Sequence, residues 1–292
     1  MRRIHVSLAS LAAIILGLAL IGGMAGTASA KKLKKAPKIT SKASYTARGS
    51  VGDAYVQDAK PGQKLLLVNA KNRVVRTGKA DRFGSKIFYD VKAGATFTVR
   101  TPTARGSQGT KRFRVLKPGQ NPSQDFYEKL PDLKAGLNYV TMRDGTELAV
   151  TVRLPVGRTS LSQGPFPTFI EYSGYQTAAP HDALLGLVAG LPGGALPDPI
   201  GDLVDTITGS IPGAPVPDPT LTPATSTAVG SIIGPLLDFA TVSVQMRGSG
   251  CSGGAFDLFG WPTTYDGYDI IETVAAQDWV QGGKVSMGGI SF

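Results

Sequence analysis

The C-terminal part of the chain has two apolar segments separated by a stretch with helical periodicity, and this order constrains the fold most. Residues 239–246, FATVSVQM, are typical of a buried strand, and residues 284–289, KVSMGG, predict another. Between them the apolar positions recur at helical spacing: Tyr268, Ile271, Val274, Ala275 and Trp279. Strands joined by a helical crossover run parallel, so this pattern predicts an α/β fold with a mainly parallel sheet.

The segments just upstream extend the same prediction. Residues 138–155 form two strand patterns around Asp144-Gly145, a dipeptide that strongly favours a hairpin turn. Residues 167–173, PTFIEYS, predict a further strand. We therefore expect residues 137–292 to form the N-terminal part of an α/β domain.

The preceding region has a different pattern. Short segments rich in β-branched and aromatic residues alternate with turn signals, which predicts a small all-β sandwich of immunoglobulin-like type over residues 45–118. The strands are expected at residues 64–70, 85–91, 96–101 and 111–116. Residues 31–44 and 119–136 are expected to be linkers, the first of them basic.

The N-terminus predicts export. Two arginines, an apolar run over residues 11–24 and the small residues Ala28-Ser29-Ala30 are typical of a signal peptide, with residues 1–30 removed by cleavage after Ala30. We therefore expect a secreted, extracellular protein. The single cysteine, Cys251, has no partner for a disulfide within the sequence.

The charge is distributed unevenly. Residues 31–120 hold 22 basic and 4 acidic residues, whereas residues 121–292 hold 7 and 17. The basic part would attract anionic cell-wall polymers through a salt-screened field. Nucleic acid is not an expected partner, because the basic residues are spread over strands of an exported protein.

Residues 176–236 fit neither pattern. They contain five Asp and no Lys or Arg, and LPGGALPDP (191–199) resembles IPGAPVPDP (211–219). Long loops without secondary structure are uncommon in compact domains unless they are functional or disordered. We interpret the segment as an insertion, either a cap over a site or a low-complexity loop without a role, and expect it to be mobile.

The clearest chemical motif follows the last predicted strand. Gly289-Ile290-Ser291-Phe292 fits the first four positions of G-x-S-x-G, the strand-to-helix turn that exposes a nucleophilic serine in α/β-hydrolases. The alternative interpretation of Ser291 is an ordinary serine in a turn at a strand end.

Four segments then resemble one family. VTMRDGTELAVTVRLP, PFPTFIEYSGY, ATVSVQMRGSGCSGGAF and DGYDIIETVAAQDWVQGGKVSMGGISF occur in the order seen in the cocaine-esterase and X-Pro dipeptidyl-peptidase family of serine hydrolases. The resemblance covers residues 138–292 except the insertion. It implies an α/β-hydrolase fold and a dipeptidyl-peptidase or carboxylesterase acting on a small-molecule ester or a peptide amide.

The resemblance also implies site residues. Ser291 would be the nucleophile, and the Tyr175 hydroxyl and the Phe292 backbone N–H would form the oxyanion hole. The alternative for Tyr175 is a packing residue. Arg247 is expected to hold a structural ion pair in a loop shaping the site wall, Trp279 to lie in the core and Asp269 to brace a helix.

No cofactor motif or metal-ligand cluster is found in the sequence. In this fold the acid and the histidine of the triad follow the serine, whereas His181, the one histidine after residue 30, precedes it. We therefore expect the chain to be a fragment ending just after its nucleophile and inactive by itself. The alternative function is a secreted wall-binding module without catalysis.

Overall fold

The computed structural model describes residues 33–175, residue 178 and residues 229–289. Residues 35–292 group into one compact unit. The described part is a mixed α/β structure, as predicted. Its strands are Ile39–Lys42 (β1), Thr46–Gly49 (β2), Ala54–Gln57 (β3), Lys64–Asn69 (β4), Val74–Lys79 (β5), Lys86–Phe88 (β6), Thr96–Thr103 (β7), Gly106–Gly109 (β8), Phe113–Arg114 (β9), Gly136–Thr141 (β10), Glu147–Arg153 (β11), Phe166–Ser173 (β12), Ala240–Gln245 (β13) and Val280–Gly288 (β14).

Three α-helices and one short 3₁₀ helix accompany the strands in the described residues. They are Gln124–Glu128 (α1), Leu161–Gln163 (3₁₀), Val229–Leu236 (α2) and Trp261–Ala275 (α3).

Strands β1 to β9 form two sheets that share a core. One sheet has the order β1-β8-β7-β4-β5 with β9 also paired to β7, and the other has the order β2-β3-β6. Buried side chains from both sheets meet in one apolar cluster, which includes Val56, Leu65, Leu67, Phe88 and Val99. This region is all-β, as the sequence predicted, and its immunoglobulin-like type stays a prediction.

The second region is built on a mixed sheet with the order β10-β11-β13-β12-β14. Strands β10, β11 and β13 pair antiparallel in succession, whereas β12 pairs parallel with both β13 and β14. The parallel part thus comprises β13, β12 and β14 among the described residues. The Asp144-Gly145 turn joins β10 to β11, as the sequence predicted.

The two faces of this sheet differ in chemistry. Ile170, Val242 and Val150 belong to the apolar cluster that also holds Ile270 and Val274 of α3. On the other face Glu171 and Ser243 contact Ser231 of α2. The helices that follow β12 and β13 in the chain therefore cover opposite faces.

Two predicted elements differ from the observed ones. Helix α3 begins at Trp261 and ends at Ala275, so Trp279 follows it and lies buried in the core before β14. The last eight residues of the predicted insertion form helix α2. The predicted mobility of the insertion concerns residues that otherwise lie outside the described ranges.

Candidate active site

Topology points to the carboxyl ends of β12 and β14 as the place for a site. The spatial order β13-β12-β14 means that the chain leaves β12 toward one neighbour and later returns to its other side. In open α/β sheets, ligands bind in the crevice at such a switch point, outside the carboxyl ends of the strands. Tyr175 lies two residues after β12, and Ser291 follows the end of β14 by three positions in the sequence.

The loop that carries Tyr175 is fastened to the end of β13. Met246 N–H donates to the Ser173 carbonyl at 2.9 Å, and Gln245 Nε2 donates to the Gly174 carbonyl at 3.2 Å. The Tyr175 N–H donates to Ser173 Oγ at 3.1 Å, while its side chain is 38% exposed. These hydrogen bonds therefore hold the backbone of Tyr175 near the end of β13, while part of its side chain is exposed to solvent.

The end of β14 packs closely against β12. A Cβ at Gly288 would lie 2.8 Å from Phe169 Cζ, whereas a Cβ at Gly289 would meet the Tyr172 carbonyl at an ordinary 3.7 Å. The predicted nucleophile Ser291 and the predicted oxyanion donor Phe292 lie outside the described residues, as does His181. The structure therefore describes Tyr175 alone among the predicted site residues.

The glycine-rich loop after β13, residues 247–254, borders this region. Ser252 Oγ donates to the Gln245 carbonyl at 2.6 Å and accepts from Ala149 N–H at 2.9 Å, which ties the loop to β11. Gly248 has a φ of 68°, and a Cβ there would lie 2.0 Å from Phe256 N. Glycine is thus required by both the backbone conformation and the close approach.

Arg247 holds three elements together beneath the loop. Its Nε and Nη2 donate to the two Asp266 oxygens of α3 at 2.6 and 2.5 Å, and its Nη1 donates to Asp144 Oδ2 of the β10–β11 turn at 2.9 Å. All three side chains are almost fully buried. The ion pair expected for Arg247 is therefore present, with two carboxylates rather than one.

Two buried carboxylates beside one guanidinium titrate differently. Burial raises the pKa of Asp266 to about 7 although Arg247 lowers it, and the Asp144 charge adds to the rise. Burial also opposes the charge of Asp144, but Arg247 and the hydrogen bonds hold the pKa of that carboxyl below its usual value. Arg247 therefore favours the charged form of Asp144, while burial pushes the pKa of Asp266 upward.

Asp269 braces α3, as expected, through partners that the sequence did not indicate. Arg143 Nη2 donates to Asp269 Oδ1 at 2.6 Å, and the Tyr127 hydroxyl of α1 donates to the same oxygen at 2.8 Å. The Arg143 guanidinium also lies over the rings of Tyr265 and Tyr268, 4.6 and 5.4 Å from their centroids. An arginine directly before Asp-Gly in a turn and tyrosines spaced along α3 are the signals that could have suggested these contacts.

Other chemical features in the described residues are few. Cys251 is a free, exposed thiol. Among residues 33–175, 178 and 229–289, no cluster of three or more His, Cys, Asp or Glu is arranged to hold a metal ion. Within the same ranges, no helix has the length and apolar content needed to cross a membrane.

Comparisons with known proteins identify a family for the second region of the chain. Residues 144–292 match the sequence model of the X-Pro dipeptidyl-peptidase family (S15 family). No curated protein matches the chain. Two crystal structures of a CocE/NonD family hydrolase from Staphylococcus aureus are similar to it at 21% and 22% identity, each with a TM-score of 0.32. They cover 68% of this chain, which spans about a quarter of their length, 26% and 27%.

Proposed function

The chain belongs to the X-Pro dipeptidyl-peptidase (S15) family, and on that premise we propose that the protein is a secreted serine hydrolase that cleaves an ester or amide bond by acyl transfer. The observation that carries the proposal is the position of the strand ends. The carboxyl ends of β12 and β14 are adjacent at a switch point, and Gly289-Ile290-Ser291-Phe292 follows β14 directly. A small-molecule ester or a peptide amide is the proposed substrate.

In the proposed reaction the Ser291 hydroxyl oxygen bonds to the substrate carbonyl carbon while a base takes its proton. The carbonyl oxygen becomes an oxyanion, and the bond to the alcohol or amine leaving group then breaks as that group receives the proton. Water attacks the resulting acyl-enzyme in the same way and releases the acid. We assign the oxyanion contacts to the Tyr175 hydroxyl and the Phe292 N–H.

The fixed backbone at Tyr175 supports its role. Hydrogen bonds from Gln245 and Met246 hold the backbone between β12 and Tyr175, which limits the positions open to the tyrosine hydroxyl. Preorganised donors aimed at a developing oxyanion contribute about 10²–10³-fold to the rate. His181 precedes Ser291, whereas the histidine follows the nucleophile in this fold, so we propose that His181 is not the base.

The test uses the protein purified from its source. A fluorophosphonate probe should label Ser291, identified by mass spectrometry of the modified peptide, and Ser291→Ala should abolish labelling and turnover of a short-chain ester. Ser286→Ala is the matched control, because Ser286 is an exposed serine of β14. Labelling that persists in Ser291→Ala, or that is lost equally in Ser286→Ala, would refute the assignment.

Tyr175→Phe tests the oxyanion assignment separately. The substitution removes one hydroxyl and keeps the ring, so kcat should fall by about 10²–10³-fold while labelling of Ser291 slows in proportion. A change confined to KM would show that the hydroxyl contributes to substrate binding only. Unchanged thermal stability is required for either interpretation.

A second candidate function, binding of anionic wall polymers, is supported by a basic cleft in the first region. Asn69, Asn72, Arg100 and Arg112 are among the residues that line a cavity of about 210 Å³, and no acidic residue is among its described lining. Burial, together with the charge of Arg112, lowers the pKa of Arg100.

Retention on anionic cell-wall material over a salt series tests this function. Arg100→Gln combined with Arg112→Gln should weaken retention more than Arg76→Gln combined with Arg105→Gln, which removes the same charge at exposed positions. An equal loss of retention in the two double variants would mean that net charge, and not the cleft, determines binding. Retention insensitive to salt would exclude an electrostatic origin.

A further inference from the structure

A large cleft lies between the first β region and the loop that follows β13. Its volume is about 600 Å³, within the range of small-molecule sites. Residues of the β5–β6 segment line one side, and Gly248, Gly254 and Phe256 line the other. The loop that forms this second side also contacts the end of β12 through Gln245. This loop therefore connects the cleft to the segment that precedes Tyr175.

Hydrogen bonds beside the cleft connect the first β region to the second region. Gln57 Nε2 of β3 donates to the Gly254 carbonyl at 2.9 Å, and the Tyr55 hydroxyl lies 3.0 Å from Thr146 Oγ1 in a buried contact. The Tyr89 hydroxyl donates to Asp257 Oδ1 at 3.3 Å. Gly254 and Tyr89 line the cleft themselves, so two of these contacts join residues of its lining to the opposite region.

Aromatic rings are exposed along the cleft. Phe83 is 75% exposed, Tyr89 is 51% exposed and Phe256 is 49% exposed, and all three line the cavity. Single exposed apolar residues are common on protein surfaces, but a contiguous group in a concavity indicates a binding site. These rings provide flat apolar surfaces for a ring or chain of a ligand.

Positive charge is concentrated at the same place. Lys79 and Lys86 line the cleft, and neither has a carboxylate within 4.0 Å among the described residues. The Lys86 stem packs over Gly78, and its Nζ lies 6.0 Å from the centroid of the Phe88 ring. The one acidic lining residue, Asp81, uses its Oδ1 to accept from Phe83 N–H and Ser85 N–H, both at 2.8 Å. Arg82, over the Phe83 ring at 4.6 Å, adds a further cation at the rim.

We propose that this cleft is a binding site for a small amphipathic anion, a molecule in which an aromatic ring or apolar chain lies beside a carboxylate. The ring would pack on Phe83, Tyr89 and Phe256, and the carboxylate would lie between the Lys79 and Lys86 ammonium groups. The assignment does not depend on Ser291, because it concerns equilibrium binding and no reaction step. It gives the first β region a role in forming a ligand site with the loop after β13.

The experiment measures binding of N-acetyl-L-phenylalanine to the full chain by titration calorimetry or ligand-observed NMR. We expect a Kd of about 1 mM or tighter for a ligand of this size. The neutral amide of the same compound should bind at least about fivefold more weakly, and acetate, which lacks the ring, should not saturate the site. Equal binding of the acid and the amide would overturn the proposal, as would the absence of saturation by the acid at about tenfold above the expected Kd.

Variants separate the two parts of the site. Lys79→Met combined with Lys86→Met keeps the apolar stems, so it should abolish the preference for the acid over the amide. Phe83→Ala should weaken both ligands alike. Lys134→Met and Tyr139→Ala are the matched controls, since both residues are exposed and lie outside the cleft.

Two outcomes with these variants would contradict the assignment. One is a preference for the acid that survives in the double lysine variant. The other is a loss of that preference in Lys134→Met equal to the loss in the double lysine variant. Ser291→Ala should leave binding unchanged, so failure of the hydrolase assignment and failure of this one are distinguishable.

Discussion

The buried carboxyl groups of Asp53 and Asp266 make the stability of the protein depend on pH. Burial raises the pKa of Asp53 to about 6, with the charges of Asp257 and Asp90 adding to the rise and the Asp90 N–H and Arg247 opposing it. Both groups have higher pKa values in the folded state than in the unfolded chain, where an Asp carboxyl has a pKa of about 3.9. Their contribution to stability is thus fully present below pH 4 and is lost as the pH rises to 7.

Asp53→Asn isolates one of these groups. The asparagine Oδ1 can still accept the hydrogen bond from Asp90 N–H, observed at 2.8 Å, but carries no charge. Relative to the native chain, the variant should gain up to about 3 kcal/mol at pH 8 and much less at pH 4. Denaturant unfolding of both proteins at the two pH values measures this difference. A gain that is equal at both values would mean that Asp53 is not the titrating group.

Arg247 should be far more important for folding than an exposed arginine. Its removal leaves Asp144 and Asp266 as buried carboxylates without their partner, which costs about 3–5 kcal/mol. Arg158 is the control, because it pairs with Asp238 at 3.8 Å with side chains that are 44% and 66% exposed. Arg158→Ala should cost less than about 1 kcal/mol. Comparable losses in urea unfolding of Arg247→Ala and Arg158→Ala would contradict this account.

At the residue scale, the sequence predicted the role of Arg247 but not its partners. Asp144 and Asp266 lie 103 and 19 positions away, and a charge in a sequence gives no indication of which distant charge it meets. Asp144 was identified as a turn residue, which it is, and its second role depends on the tertiary fold. Tyr175 was placed correctly after β12, since the strand before it has a clear apolar pattern.

At the element scale, apolar composition decided what could be predicted. Strands with buried apolar runs, such as β4, β12 and β13, lie where the sequence placed them. Strands β1, β2 and β8 were not predicted because ITSK, TARG and GSQG have no such runs, and β1 and β8 become strands by pairing with each other and with neighbouring chain. Strands β3 and β5 were not predicted either, since AYVQ is short and VVRTGK has only two apolar residues at its start. Helix α2 was missed because its glycines and Pro235 disfavour a helix locally.

The glycines of α2 explain why this sequence is nevertheless helical here. A Cβ at Gly234 would lie 2.3 Å from Thr241 Cγ2, and one at Gly230 would lie 2.3 Å from Phe169 Cε1. The helix can therefore approach β12 and β13 closely enough for Ser231 to contact Glu171 and Ser243. Tertiary packing supplies the stability that local propensity lacks.

Alanine at two helical glycines should have opposite effects. Gly234→Ala should destabilise by about 1–3 kcal/mol, because Thr241 is fully buried in β13 and cannot move aside. Gly267→Ala in α3 should stabilise by about 0.5–1 kcal/mol, since a Cβ there meets nothing within 4 Å and alanine favours the helix. Thermal unfolding of both variants gives the signs. Stabilisation by Gly234→Ala would mean that α2 does not pack against the sheet as described.

At the scale of the whole molecule, the two sequence patterns belong to one compact unit. The buried contact between Tyr55 and Thr146 and the bond from Gln57 to the Gly254 carbonyl connect the first β region to the sheet of β10–β14. Sequence indicated two regions from their different periodicities but contained no signal for these contacts, because they join single polar residues far apart in the chain. Whether residues 119–136 mark a domain boundary stays a prediction.

The last prediction concerns residues 31–292 as an isolated polypeptide, which should not turn over esters. A serine hydroxyl is a weak nucleophile until a positioned base accepts its proton. His181 is the one histidine in this range, and it precedes Ser291, contrary to the order of the triad in this fold. Without a base, a triad enzyme retains about 10³–10⁴-fold acceleration over water, and this remaining acceleration requires an intact oxyanion hole.

Purified residues 31–292 and their Ser291→Ala variant should therefore hydrolyse a chromogenic short-chain ester at the same slow rate. Circular dichroism of both proteins must first show folded chains, since an unfolded sample would be inactive for another reason. Turnover by the unsubstituted polypeptide that Ser291→Ala removes would mean that a base lies within residues 31–292. His181→Gln would then test whether His181 is that base, because a glutamine of similar size cannot take the proton from Ser291. Activity that survives this change would indicate a carboxylate as the base.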